Sequence, residues 1–370
     1  MKTITKRIRT IVTILLIGLV AAMCTETIIP TESNEEINYD DTPYDLSIGY
    51  FSEPDFGDNA LTVEGVKLGR MLFYDNVLSG DNTMNCASCH LQDNAFSDPE
   101  QFSIGIEGLP GGRQAMAIFN TAWHTNEFFW DGRAHLLRDQ SLKPIEDALE
   151  LNTTLELVVA KLETGNVYRD QFKRAFGTED VTEERISLAL EQFMNTIVSN
   201  QSKYDKWGSG EAQFTDSEER GRMLYFTEYD QFFPQFSGAD CQHCHGGNNF
   251  ADNDYMNNGL DAEANIEDIG RMEVTGEAMD KGKFKIPSLR NIELAAPYMH
   301  DGRFETLEEV VDHYDHGIAE SPSLDPALRN TTSTGLRLTA QDKADLIAFL
   351  KTLTDETIAT DERFSSPFDN

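Results

Sequence analysis

Basic residues, strand signals and long apolar runs are all scarce in this sequence. Lys and Arg number 30 against 64 Asp and Glu, a formal charge of −34. That balance argues against nucleic acid or an anionic membrane surface as a partner, and would steer a basic protein toward the chain. Few segments alternate with period two, so the expected fold is mainly α with long loops and little strand. The sustained apolar run from Ile11 to Ala22 is short for a membrane span. Preceded by Lys2, Lys6, Arg7 and Arg9, it has the layout of an export signal over residues 1–24. Cys24 follows Val20-Ala21-Ala22-Met23, where a bacterial lipoprotein signal places its lipidated cysteine, although Met23 is atypical there. Ordinary signal cleavage with loss of Cys24 is the alternative. Disorder is not expected over most of the chain, because hydrophobic residues make up 39% and Phe alone numbers 22, enough for buried cores. A length of 370 residues suggests about two domains.

Cysteine is also sparse. Of five in all, four fall in Cys86-Ala87-Ser88-Cys89-His90 and Cys241-Gln242-His243-Cys244-His245. Each reads as C-x-x-C-H, an attachment site for c-type haem: two thiols hold the porphyrin as thioethers and the adjacent His offers iron a proximal nitrogen. A lone C-x-x-C could serve zinc or a disulfide, but the following His occurs in both copies. Two covalently attached haem c are therefore expected, on Cys86, Cys89 and His90 and on Cys241, Cys244 and His245. Such attachment takes place outside the bacterial cytoplasm. The expected location is the periplasm or cell envelope, with a lipid anchor if Cys24 is retained.

Residues 25–50 are polar and acidic, with Pro30, Pro43 and no apolar period, and read as a flexible tether. Folded sequence begins near Phe51, and Gly65 to Tyr74 reads as a helix leading into the first haem site. An internal repeat then appears. Gly69-Arg70-Met71-Leu72-Phe73 precedes the first motif as Gly221-Arg222-Met223-Leu224-Tyr225 precedes the second, and Asp131-Gly132-Arg133 after Asn120 is matched by Asp301-Gly302-Arg303 after Asn291. This predicts two tandem c-type cytochrome domains, residues 51–214 and 215–354, related by a pseudo-two-fold with the haems facing the interface. Helix starts are expected at Asn152, at Asp180 with Glu183, at Thr215 with Glu218, at Thr306 with Glu309 and at Thr339 with Asp342. Residues 355–370 read as a loose tail.

Phe129-Trp130-Asp131-Gly132-Arg133, Pro287-Ser288-Leu289-Arg290-Asn291 and Ala296-Pro297-Tyr298-Met299-His300-Asp301-Gly302-Arg303, taken with both haem motifs, resemble the bacterial diheme cytochrome c peroxidase and MauG family. The resemblance covers nearly all of residues 51–353. It implies that the N-terminal haem reacts with peroxide and that the C-terminal haem relays electrons. It places Trp130 between the haems, where an indole can pass an electron or share a hole, and it assigns Gln140 and Glu150 to the peroxide pocket. A carboxylate suits that role, because it can take a proton from one peroxide oxygen and deliver it to the departing one.

Two departures from the peroxidase pattern stand out. Many members carry a His that blocks the first iron in the resting state, but the corresponding loop here reads Ser103-Ile104-Gly105-Ile106. Ile106 cannot bind iron, so the first haem is expected to be five-coordinate or water-bound without reductive activation; His124 is assigned to structure. At the second haem Tyr314 stands where peroxidases have Met and MauG-type enzymes have Tyr, and Met299 is the competing ligand. A phenolate is a hard anionic donor that favours oxidised iron, whereas a thioether favours ferrous iron. Leu307, Val310, Val311 and Tyr314 share a helix face, with His313 about 100° away. The resemblance also implies one calcium ion between the domains, held partly by carbonyls of Gln114, Ala295 and Pro297, with Gln114 replacing a usual Asn. His135, His300 and His316 are assigned to structure or haem-propionate contacts.

The function implied is an exported peroxidase that reduces hydrogen peroxide to water, with electrons from a small redox protein such as a basic cytochrome. One alternative is a MauG-like diheme oxidase that oxidises residues of a partner protein through a high-valent haem pair, a reading that Tyr314 and Ile106 favour. The other is a non-catalytic electron-transfer cytochrome, against which Glu150 and Gln140 argue. A homodimer would follow by analogy with the family.

Overall fold

A computed structural model describes residues 37–368 apart from residue 126. The export signal, Cys24 and the first part of the tether lie outside the described residues. The chain is mainly helical, and the one sheet among the described residues is a two-residue antiparallel pair, β1 (Tyr255–Met256) with β2 (Phe284–Lys285). Among the described residues no helix is long and apolar enough to cross a membrane.

Two apolar cores organise the fold. The first is built on α1 (Val63–Tyr74), α2 (Leu137–Glu146), α3 (Leu155–Leu162), α4 (Asn166–Phe176) and α5 (Glu183–Thr196). The second takes in Tyr204 of α6 (Lys203–Gly208), then α7 (Asp216–Phe226), α9 (Leu307–Asp312) and α10 (Ala340–Lys351), with α8 (Met272–Thr275) in the long loop between α7 and α9. The repeated glycines explain how each core closes. A Cβ on Gly69 of α1 would sit 1.9 Å from the Ala189 carbonyl and 2.8 Å from the Phe193 Cβ of α5. A Cβ on Gly221 of α7 would meet the Asp345 carbonyl of α10 at 1.9 Å and the Phe349 Cβ at 2.8 Å. Only glycine permits either backbone approach.

Helix starts follow local chemistry. Capping boxes at Thr215/Glu218, Thr306/Glu309 and Thr339/Asp342 are present as expected. Two others differ. Thr154, not Asn152, caps α3, and Thr182, not Asp180, caps α5, each hydroxyl accepting an N–H in the first turn. Asn152 instead has a left-handed backbone and donates to Glu107. Proximity to the apolar run pointed to the right helices but could not choose between neighbouring polar residues.

Both expected loose ends are tied down where they are described. Within 37–50, the Tyr44 N–H donates to Leu61 O at 3.0 Å, and the Tyr50 hydroxyl bonds both Asp205 and Arg290. The C-terminal segment returns to the first core, where Ile358 and Phe364 are buried. Gln92, just past the first haem motif, donates to the carbonyls of Ile358 and Asp361 at 3.0 and 2.9 Å. The polar composition that suggested mobility is offset by a few apolar anchors and by backbone pairing.

Candidate di-haem site

At the first motif, residues Cys86–Ser88 form one tight turn, and the His90 N–H donates to Cys86 O at 3.0 Å. The His90 ring is fixed by Nδ1, which lies 2.9 Å from Phe96 O. Two successive left-handed residues, Ala95 and Phe96, turn the chain there. At the second motif His245 Nδ1 lies 3.3 Å from Phe250 O and 3.1 Å from Pro287 O. A carbonyl only accepts, so in both rings Nδ1 carries the proton and Nε2 keeps its lone pair, the tautomer that a metal-ligating His uses. Burial holds both imidazoles below their ordinary pKa, His245 down to about 4, so they stay neutral at pH 7. None of the four motif cysteines is taken up in a disulfide among the described residues. Cys86 and Cys241 pack against the first and second apolar cores respectively. These residues fit two covalent haems.

Glu150 lies at the turn after α2, and its charge is felt at both Cys86 and Cys89. Burial, reinforced by Asp147 and opposed by Arg133, lifts its carboxyl to about 7. The Ile106 loop closes directly over this segment: the Ile106 N–H donates to Glu150 O at 3.0 Å. A Cβ on Gly105 would come within 2.0 Å of Leu149 O. Gln140 sits half-buried on α2 and, among the described residues, makes no side-chain hydrogen bond to Glu150 or Trp130.

At the second site Tyr314 and Met299 converge on one residue. Asn258 Nδ2 donates to Tyr314 Oη at 3.3 Å and approaches Met299 Sδ at 3.4 Å. Burial pushes the Tyr314 phenol up to about 12, opposed by the Asn258 bond. The helix does not continue regularly here. Residues His313–Gly317 form a π turn, and His313 Nε2 lies 3.1 Å from Asn258 O. His313 thus meets the backbone of Asn258, whereas Tyr314 meets its side-chain amide.

Trp130 lies between the two halves. Its indole N–H donates to Gln114 O at 2.8 Å, and its own carbonyl accepts from the Lys285 N–H at 2.7 Å. The neighbouring Asp131 is buried and gripped by Arg113 and Arg133, and Arg113 also chelates Asp268 of the second half at 2.7 and 2.8 Å. Gln114, Ala295 and Pro297 border one cavity with Trp130. Among the described residues no carboxylate lines it and the Lys285 side chain does, so a calcium there would rest on carbonyl oxygens and water alone.

Among the histidines set aside, His300 stacks on Phe284 with ring centroids 3.6 Å apart, while His135 and His316 are exposed. Sequence reasoning missed Asn258, Arg113 and Lys285. A usable signal existed for Lys285: it precedes Asn291 by six residues, as Gln114 precedes Asn120.

Comparison with known proteins agrees with this geometry. A family model described as di-haem cytochrome c peroxidase matches residues 63–213. A methylamine utilization protein MauG from Methylophilus methylotrophus is 33% identical over 298 residues, covering 80% of this chain and 84% of the relative. A cytochrome c551 peroxidase from Nitrosomonas europaea is 36% identical over 248 residues, 66% of this chain and 71% of the relative. A crystal structure of a MauG-like protein associated with microbial copper homeostasis superposes with a TM-score of 0.76 at 38% identity, over 86% of this chain and 98% of that one.

Proposed function

Because the chain belongs to the di-haem cytochrome c peroxidase and MauG family, we propose that it is an exported peroxidase, reducing hydrogen peroxide to water beside His90 with electrons entering through the His245 half. The observation that carries this reading is Glu150, a carboxyl poised near 7 next to the first pair of haem cysteines. Bound haem supplies the redox chemistry; the residues of the chain supply orientation and proton movement. The Glu150 carboxylate takes a proton from one peroxide oxygen and returns it to the other as the O–O bond breaks, and two electrons and two further protons complete two waters. A carboxyl near 7 populates both forms at neutral pH, as an acid–base group must. Ile106, closed over the Glu150 backbone, offers no side-chain ligand to compete with peroxide. Trp130, hydrogen-bonded to both halves, is placed to pass electrons between them.

The two halves are proposed as tandem cytochrome domains related by a pseudo-two-fold. Supporting this, the Gln114 N–H donates to His300 O at 2.8 Å while Lys285, its counterpart, donates to Trp130 O, the counterpart of His300. Periplasmic location, a basic cytochrome as donor, a carbonyl-held calcium at Gln114, Ala295 and Pro297, a Cys24 lipid anchor and a homodimer belong to the same proposal.

A second reading, a MauG-like oxidase acting on a partner protein, is favoured by the buried Tyr314 with its Asn258 donor. Mixing the diferric protein with peroxide and then with a reduced basic cytochrome separates the readings. Rapid reaction followed by oxidation of two cytochromes per peroxide is expected of the peroxidase. Rapid reaction without turnover supports the oxidase, and no reaction with peroxide excludes both.

A further inference from the structure

The cavity beside Trp130 contains a buried cation. Lys285 is 3% exposed, and its Nζ has no hydrogen-bond partner among the described residues. In the same cavity the buried Nδ1 of His124 is also without a hydrogen-bond partner among the described residues. Glu127 makes no hydrogen bond to the ammonium and attracts it only at longer range, its carboxylate being held by the Tyr255 hydroxyl at 3.2 Å and by Arg271 at 3.6 Å. The Tyr255 ring, 5.8 Å from Nζ, is a weak substitute. The counterpart residue behaves differently: Gln114 is neutral, and its Nε2 donates to Ser97 Oγ and Asp98 O, each at 3.0 Å. A buried cation without a hydrogen-bonded anion costs roughly several kcal/mol, and is retained where something pairs with it.

The same cavity is bordered by Met116 on one side and Pro287 on the other. The Met116 backbone acts on His90, and the Pro287 carbonyl receives His245 Nδ1. The space therefore adjoins both proximal histidines. We propose that Lys285, assisted by His124, is the anion site for a propionate carboxylate of bound haem, a role that rests on the di-haem reading above. Lys285 acts as a positioning residue: it anchors the porphyrin next to Trp130 and keeps a positive charge close to iron, which disfavours the ferric state.

The test compares wild type with Lys285→Met and Lys285→Arg, reading haem content and then the reduction potentials of both haems by spectroelectrochemistry. Two haems per chain with at least one potential lowered in the Met variant, and restored toward wild type in the Arg variant, is the expected result. Two haems with unchanged potentials in the Met variant overturns the proposal while leaving the di-haem reading intact. Haem content other than two in wild type removes the reading itself. Wild-type potentials that follow added acetate would assign the site to a free carboxylate and also overturn the proposal. If the Met variant does not accumulate, the Arg variant carries the test through infrared redox-difference spectra of protein labelled with 13C at the propionates. The propionate bands should differ from wild type, and identical bands refute the assignment.

Discussion

The two halves share a backbone plan and differ in what they do with it. Gly69 and Gly221 make the same helix crossing, Asn120 and Asn291 both take left-handed backbone, and Gly132 and Gly302 do the same. Each proximal His gives its Nδ1 proton to a carbonyl. The side chains then diverge. The first half sets Glu150 and the ligand-free Ile106 loop near its haem cysteines, whereas the second gathers Tyr314, Met299 and His313 around Asn258. Trp130 in one half corresponds to His300 in the other, and Gln114 corresponds to Lys285. The comparison teaches that the repeat preserves the motif geometry and the packing, and that a handful of non-matching side chains distinguishes the proposed peroxide site from the proposed electron-handling site.

The largest expected effect concerns this division. Glu150→Gln should slow the reaction of the ferric protein with peroxide by roughly 10²–10⁴-fold, measured by stopped flow, with both haems retained. In wild type the base form is needed to accept the first proton. Since burial raises this carboxyl to about 7, the rate should rise with pH through a midpoint near that value, and the Gln variant should lose this limb. A matching loss on removing a carboxylate from the second half alone would break the proposed division of labour.

The shared plan is tested next. Gly69→Ala and Gly221→Ala should each destabilise the holoprotein by about 1–3 kcal/mol in urea unfolding, because both added methyls meet backbone. A large cost at one site and none at the other would show that the crossings are not equivalent. Capping gives the smallest energetic effect: Thr182→Ala should cost about 1 kcal/mol, and Asp180→Ala much less. The last prediction is spectroscopic. Tyr314→Phe should change a low-spin EPR signal of the diferric protein while Met299→Leu leaves it unaltered; the reverse pattern would make Met299 the ligand.

Much of the architecture was legible because it rests on short-range rules. The C-x-x-C-H pairs, the glycine-led repeat and the three Thr capping boxes involve residues within a few positions of one another. Assignments that depended on long-range neighbours were less secure. Composition marked residues 37–50 and 355–368 as loose, yet Tyr50, Ile358 and Phe364 are secured by partners far away in the chain. The π turn at residues 313–317 was not foreseen, because nothing local distinguishes a π turn from an α-helical one.

The sequence by itself determined the two C-x-x-C-H motifs, the mainly helical class and the internal repeat, since spacing, periodicity and repetition are properties of the chain alone. Only the tertiary structure decided that Asn258 stands between Tyr314 and Met299, that Glu150 is buried enough to hold its proton near neutrality, and that the Lys285 ammonium is enclosed without a hydrogen-bond partner among the described residues. Each of these depends on which groups are removed from water together, and desolvation is set by the fold as a whole.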